Sequence, residues 1–236
     1  MDALIIVPCY NEEERLPADA FAGFMKIHPE ISFLFVNDGS RDNTGEVLKK
    51  LCAANPNAAL LELTDNCGKA EAVRQGMLHA ADTGVRFIGF LDADLATPPE
   101  ELTGMLASAW ESVLCISGCR LVRLGSAITR SPWRHFAGRI FATAASLYLN
   151  LPVYDTQCGA KLYAAEAVGS IFQKPFVTKW FFDVEILRRL LRLYGRERIL
   201  ADTLEYPLRS WADRAGSKIR FFPALADFIR LLLSKD

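Results

Sequence analysis

An α/β fold with a mostly parallel central sheet flanked by helices is what this sequence predicts, and three observations lead there. Short apolar runs alternate with helical patterns through the first hundred residues. Those runs are continuously apolar rather than alternating, as strands buried on both faces are. Each run also ends in polar, turn-forming residues, so four loops of similar chemistry follow four strands.

In order, "ALIIV" (3–7) reads as the first strand and residues 12–27 as a helix. "ISFLFV" (31–36) is the second strand, and "DGSRDNT" then leads into a helix over 43–54 with Ser40, Asp42 and Asn43 as available caps. "AALLEL" (58–63) is the third strand. A helix over 68–82 follows, with Ala72, Val73, Gly76, Met77 and Ala80 on one stripe. "RFIGFL" (86–91) is the fourth. Repeated strand–helix–strand units imply right-handed crossovers and a sheet whose carboxyl edge binds ligands. That edge would carry "PCYNEEE", "NDGSRDNT", "TDNCGKAEA" and "DADLATPP", bringing Asp38 and Asp92 close together.

The second half is less regular. We expect a strand over 112–121, a helix over 132–150 opened by Pro132, and a turn with a short strand over 155–163. A helix over 182–195 closed by Gly195, a strand over 198–208 and a helix over 217–233 broken early by Pro223 complete the chain. No repeat or linker interrupts the 236 residues, which suit one domain. Within it, residues 1–114 would form one half and 115–236 another, ending in an amphipathic helix.

Composition narrows the function. The chain is 51% hydrophobic and 23% charged, as packed globular proteins are. No run reaches the roughly 18 apolar residues of a membrane span, and "MDALIIVPCYNEEE" lacks a signal peptide's basic start. Six scattered cysteines show no metal or disulfide rhythm, which points to a reducing cytoplasm. The net charge of −1 hides an asymmetry: residues 1–114 hold 8 Lys and Arg against 18 Asp and Glu, and residues 115–236 hold 19 against 10. The halves should meet different partners, and no nucleic acid is among those expected.

"FLDADL" places Asp92 and Asp94 at a strand end, where two carboxylates can share Mg²⁺ or Mn²⁺ with a substrate's phosphates. A capped turn would read the same way, so the pair alone is weak. Taken in order with "VPCYNEEERL", "FVNDGSRDNT" and "NCGKAEAVRQG", it resembles the nucleotide-binding half of inverting family 2 glycosyltransferases of the GT-A fold. "GCR" (118–120), "RSPWRH" (130–135), "DTQCGAKLY" (155–163) and "WFFDVEIL" (180–187) resemble that family's polyprenyl-phosphate branch, most of all its dolichyl-phosphate β-glucosyltransferases.

The resemblance implies transfer of a hexose from a nucleotide sugar, UDP-glucose above GDP-mannose, to a polyprenyl phosphate. Pro8, Tyr10 and Glu12 would line the nucleotide pocket, Asp38 would read the base, and Lys69 would lie near the phosphates. Asp92 would face the ribose and the metal, and Asp94 would ligate the ion, Mg²⁺ or Mn²⁺. Arg120 and Arg134, with Arg130 in reserve, would hold the acceptor phosphate. A phosphate is already anionic near neutral pH and needs cations rather than a general base. Asp155 and Asp183 would be the catalytic carboxylates, Asp183 serving as base where the acceptor is a hydroxyl, as in polysaccharide synthesis; Gln157 is a further possible contact. Asn37 departs from the family's usual second Asp, and "GKAEA" from its more glycine-rich form. A catalytically silent nucleotide-sugar sensor is the non-enzymatic alternative. The basic, apolar segments 132–150 and 217–233 would permit peripheral attachment to the cytoplasmic face of a membrane.

Overall fold

A computed structural model describes residues 2–213 and 221–234, apart from the side chains of residues 132–135, 137 and 221–226. The chain divides into two compact units, residues 1–95 with 160–173, and residues 96–159 with 174–236. Residues 160–173, from the expected second half, thus belong to the first unit.

The first unit holds β1 (Ala3–Cys9), α1 (Ala18–Ile27), β2 (Ile31–Asp38), α2 (Thr44–Ala54) and β3 (Ala58–Leu63). These are followed by α3 (Lys69–Ala80) and β4 (Phe87–Leu91). Strand order is β3-β2-β1-β4, all parallel. The order reverses beside β1, so the crevice outside the carboxyl ends of β1 and β4 is where such sheets bind ligands. Asp38 ends β2 and Asp92 follows β4, which puts them two strand spacings, about 10 Å, apart. Helix α3 lies against β1 and β2 at Gly76, where a Cβ would stand 2.5 Å from Ile6 Cγ2 and 3.0 Å from Val36 Cγ2. Phe21, Phe24, Phe33 and Phe35 interlock between α1 and β2, with edge-to-face centroid distances of 5.1 to 5.9 Å.

Helix α1 begins at Ala18, not at residue 12. The segment before it bonds the loop after β2 instead: Asn11 N donates to Ser40 Oγ and Glu12 N to Thr44 Oγ1. Glu12 O accepts from Arg15 N and Leu16 N in a single turn, and Pro17, which has no N–H to donate, ends it before α1 starts.

In the second unit, α4 (Glu100–Ala107) precedes β5 (Cys115–Cys119), β6 (Ala127–Thr129) and α5 (Pro132–Leu149). In the first unit, β7 (Ala160–Ala164) runs antiparallel to β4 and leads into α6 (Ala165–Phe172), a helix the sequence reading omitted. Back in the second unit, α7 (Phe182–Asp202) is followed by β8 (Thr203–Pro207), β9 (Ser210–Ala212) and α8 (Phe221–Leu233). Strands β5 and β8 pair in parallel, as do β6 and β9. Gly195, at φ 76°, breaks α7 where the sequence marks a stop. Helical geometry then resumes, so residues 198–202 are helix rather than strand. Residues 217–220 of the expected last helix lie outside the described residues. Phe141, Phe181 and Phe228 pack together, so α8 closes this unit's core.

Candidate active site

On the first unit, the carboxyl edge is built by loops that hold one another. Glu13 bonds Asn43 through both carboxylate oxygens, and Asn11 Oδ1 accepts from Arg41 N. Tyr10 remains 41% exposed at the end of β1, beyond Pro8. Glu12 is half-buried, with Arg15 Nε 3.3 Å from its carboxylate.

Asp38 is buried, and both its oxygens are engaged. Oδ1 accepts from Cys67 N at 2.7 Å, and Oδ2 from Gly68 N at 2.9 Å and Asn66 Nδ2 at 3.0 Å. Two consecutive N–H groups on one carboxylate fix the path of a loop. Gly68 supports this by adopting φ 88°, a conformation that disfavours side chains. The loop delivers Lys69 as the first residue of α3, with Nζ 2.5 Å from Asp92 Oδ1. Residues 66–69 therefore bridge the end of β2 to the end of β4.

Asp92 opens a tight turn in which its carbonyl accepts from Leu95 N at 3.2 Å. Leu95 is buried at φ 48°, a strained conformation for a non-glycine residue. The turn sets the directions of Asp92 and Asp94. Asp92 Oδ1 is buried and receives no directional hydrogen bond among the described residues, although Lys69 supplies a counter-charge. A hard carboxylate oxygen whose one described partner is an ammonium, two residues from a second carboxylate, suits a divalent cation. No group of three or more His, Cys, Asp or Glu side chains able to hold a metal occurs among the described residues.

On the second unit, Arg120 and Asp155 form a buried fork: Nε and Nη2 of the guanidinium lie 2.7 and 2.8 Å from the two carboxylate oxygens. Arg120 N adds a third bond at 3.1 Å. The Trp211 ring lies beneath the guanidinium, its centroid 5.2 Å from Cζ. Glu205 accepts from Tyr154 N at 2.8 Å and Asp155 N at 2.7 Å, so β8 fixes the loop that carries Asp155. Glu101 does the same for residues 209 and 210, and so for Trp211. Arg139 donates to Tyr154 O at 2.6 Å and lies over the Tyr154 ring.

Arg130 makes no hydrogen bond among the described residues. Burial, then the nearby Arg120 charge, pushes its pKa down, with Asp155 and Asp213 opposing them. Gly138 makes room for it, since a Cβ there would overlap the Arg130 guanidinium. Arg134 lies on α5, with its side chain outside the described residues. Gln157 Nε2, two residues beyond Asp155, is a buried donor with no acceptor among the described residues.

Asp183 is buried in the first turn of α7. The loop before it is fixed by two carboxylates absent from the sequence-based site. Glu185, fully buried, accepts from Val177 N at 3.0 Å and Arg189 Nη2 at 2.8 Å. Asp227 on α8 accepts from Lys179 N at 2.9 Å and Trp180 N at 2.7 Å. A signal for Glu185 existed: a glutamate inside "FDVEILRRLL" with Arg189 four residues on. Nothing local marks Glu205, Glu101 or Asp227, because their partners are backbone groups distant in sequence.

Residues 4–172 match the family described as Glycosyl transferase family 2. A dolichyl-phosphate beta-glucosyltransferase of Drosophila melanogaster is 33% identical over 245 residues, covering 94% of this chain and 70% of its own length. Another from Trichomonas vaginalis is 30% identical over 196 residues, covering 77% of this chain; the match spans only 57% of that relative's length. Among solved structures, glucosyl-3-phosphoglycerate synthase from Mycobacterium tuberculosis, in complex with Mn²⁺, UDP and glucosyl-3-phosphoglycerate, superposes with a TM-score of 0.65 at 18% identity. That match covers 98% of this chain and 78% of the other, and it establishes the fold.

Proposed function

The chain belongs to glycosyl transferase family 2, and on that premise we propose that it is an inverting, metal-dependent hexosyltransferase that moves glucose from UDP-glucose to a polyprenyl phosphate. The observation that carries the acceptor is Arg130. A half-buried guanidinium without a hydrogen-bond partner among the described residues, beside Arg120, has a use for a dianionic ligand. Relatives named for dolichyl-phosphate glucosyl transfer support glucose and a lipid phosphate over GDP-mannose.

In this reading the first unit takes the donor. Pro8, Tyr10 and Glu12 line the nucleotide site, and Asp38 acts through the Asn66–Gly68 loop, since its own oxygens already accept three protein donors. Asp92 and Asp94 would hold Mg²⁺ or Mn²⁺, which when bound neutralises the charge that gathers on the diphosphate as the sugar bond breaks. On the second unit, Arg120, Arg130 and Arg134 hold the acceptor phosphate and Asp155 keeps Arg120 in register. Gln157 offers a donor to a hydroxyl or phosphate oxygen. Asp183, buried at a helix start, also supports a second reading with a carbohydrate hydroxyl acceptor, for which it would be the base.

The test is product analysis. Incubation with UDP-glucose, Mg²⁺ and a short polyprenyl phosphate should yield a glucosyl phosphoryl lipid with the anomeric configuration inverted to β. Formation of a free-sugar glycoside instead would select the hydroxyl acceptor.

A lipid acceptor calls for a membrane surface. No described helix is long and apolar enough to cross a bilayer. On α5, Ile140 and Leu147 are 55% and 78% exposed, and on α8, Ile229, Leu232 and Leu233 are 47%, 44% and 76% exposed. We propose that these faces rest on the membrane. The protein should co-float with anionic liposomes, and Ile140→Asp with Leu147→Asp should lower the bound fraction at least about threefold. Equal flotation of the double variant would remove these residues from the interface.

A further inference from the structure

We propose that Lys69 is the resident counter-ion of the cation site, and that its ammonium and a divalent cation exclude each other at Asp92 Oδ1. This inference rests on the proposed metal role of Asp92 and Asp94. Lys69 Nζ sits 2.5 Å from Oδ1, the buried oxygen that receives no directional hydrogen bond.

The pairing is also enforced from below. Asp38 clamps Cys67 N and Gly68 N, Gly68 turns at φ 88°, and Lys69 begins α3 at the carboxyl edge. The backbone is fixed, whereas the four-carbon side chain has several rotatable bonds and is 45% exposed. Nζ can therefore swing away from Asp92 without moving the helix. A cation bound at Oδ1 would repel the ammonium, and a donor diphosphate would receive it. Nucleotide and metal would then reinforce each other, because the charge that one displaces is used by the other.

The experiment measures Mn²⁺ binding to the nucleotide-free protein by loss of the free-ion electron paramagnetic resonance signal. Lys69→Gln should bind Mn²⁺ about three- to tenfold more tightly than wild type, since no partly exposed ion pair has to be broken first. Lys69→Arg, which keeps the charge, should bind like wild type. With saturating UDP, the gain in Mn²⁺ affinity should be smaller in Lys69→Gln than in wild type. Unchanged or weaker Mn²⁺ binding in Lys69→Gln overturns the proposal. Asp94→Asn separates the two levels. If it loses Mn²⁺ while Lys69→Gln gains nothing, the metal site stands and the counter-ion role falls. If wild type, Lys69→Gln and Asp94→Asn all bind alike, or none binds, both fall.

Discussion

Arg120→Ala should lower lipid-dependent transfer about 10²- to 10³-fold and destabilise the fold, while UDP-glucose binding persists. Two losses coincide in this variant. In the proposed site the acceptor phosphate loses a cationic donor, the part of the guanidinium that Asp155 leaves open, and removing one such preorganised donor costs about 10²- to 10³-fold in rate. Asp155 also keeps a buried negative charge with no cation in the fork, because the side chains of the pair are only 11% and 8% exposed. Breaking a buried pair from one side costs about 3–5 kcal/mol, which lowers the melting midpoint by roughly 6–20 °C for a chain of this size. Companion variants separate the two effects. Arg120→Lys keeps the charge but not the fork, so it should recover part of the stability and little of the rate. Combining Arg120→Ala with Asp155→Asn should restore melting toward wild type and leave transfer as low as in Arg120→Ala. If Arg120→Ala melts and turns over like wild type, the cluster is an ornament of the surface.

Glu185→Ala should be the most destabilising single change among the buried carboxylates. It removes the acceptor of Val177 N and Thr178 N and takes one partner from Arg189, all around a residue with no exposed surface. Unsatisfied buried donors and a broken buried pair together cost about 3–5 kcal/mol. Thermal unfolding followed by circular dichroism reads this directly, and Glu185→Gln, which keeps one acceptor oxygen, should fall between. The loop over 177–180 leads straight to Asp183, so the change should also loosen hydrogen-exchange protection at the start of α7. A melting curve superimposable on wild type would contradict this account of the loop.

Local chemistry explains what could be read in advance. β1 to β4 were legible because continuous apolar runs of five to eight residues, bounded by turn formers, leave few alternatives in an α/β chain. The Asp-Ala-Asp turn was legible because a buried strand seldom ends in two charges without a use for them. Helix α6 and the short strands β6 and β9 were not, since three-residue strands carry no period to detect. The helical residues 198–202 were misread because the turn at Gly195 resembles a helix stop and helical geometry then resumes. In the site, residue types were legible but several duties were not. Asp38 read as a ligand contact, and it is found holding Cys67 N and Gly68 N, partners about thirty residues away. Glu205, Glu101 and Asp227 do the same for other loops. A carboxylate that organises distant backbone N–H groups leaves no mark in local sequence.

The central claim is that the acceptor is a phosphate held by arginines. UDP release from UDP-glucose, measured with Mg²⁺ and equal concentrations of a short polyprenyl phosphate or the corresponding polyprenol, tests it most directly. The account predicts stimulation by the phosphate alone, lost in Arg130→Gln while UDP-glucose affinity is unchanged. Stimulation by the alcohol, or by a sugar acceptor with no response to the phosphate, would contradict it.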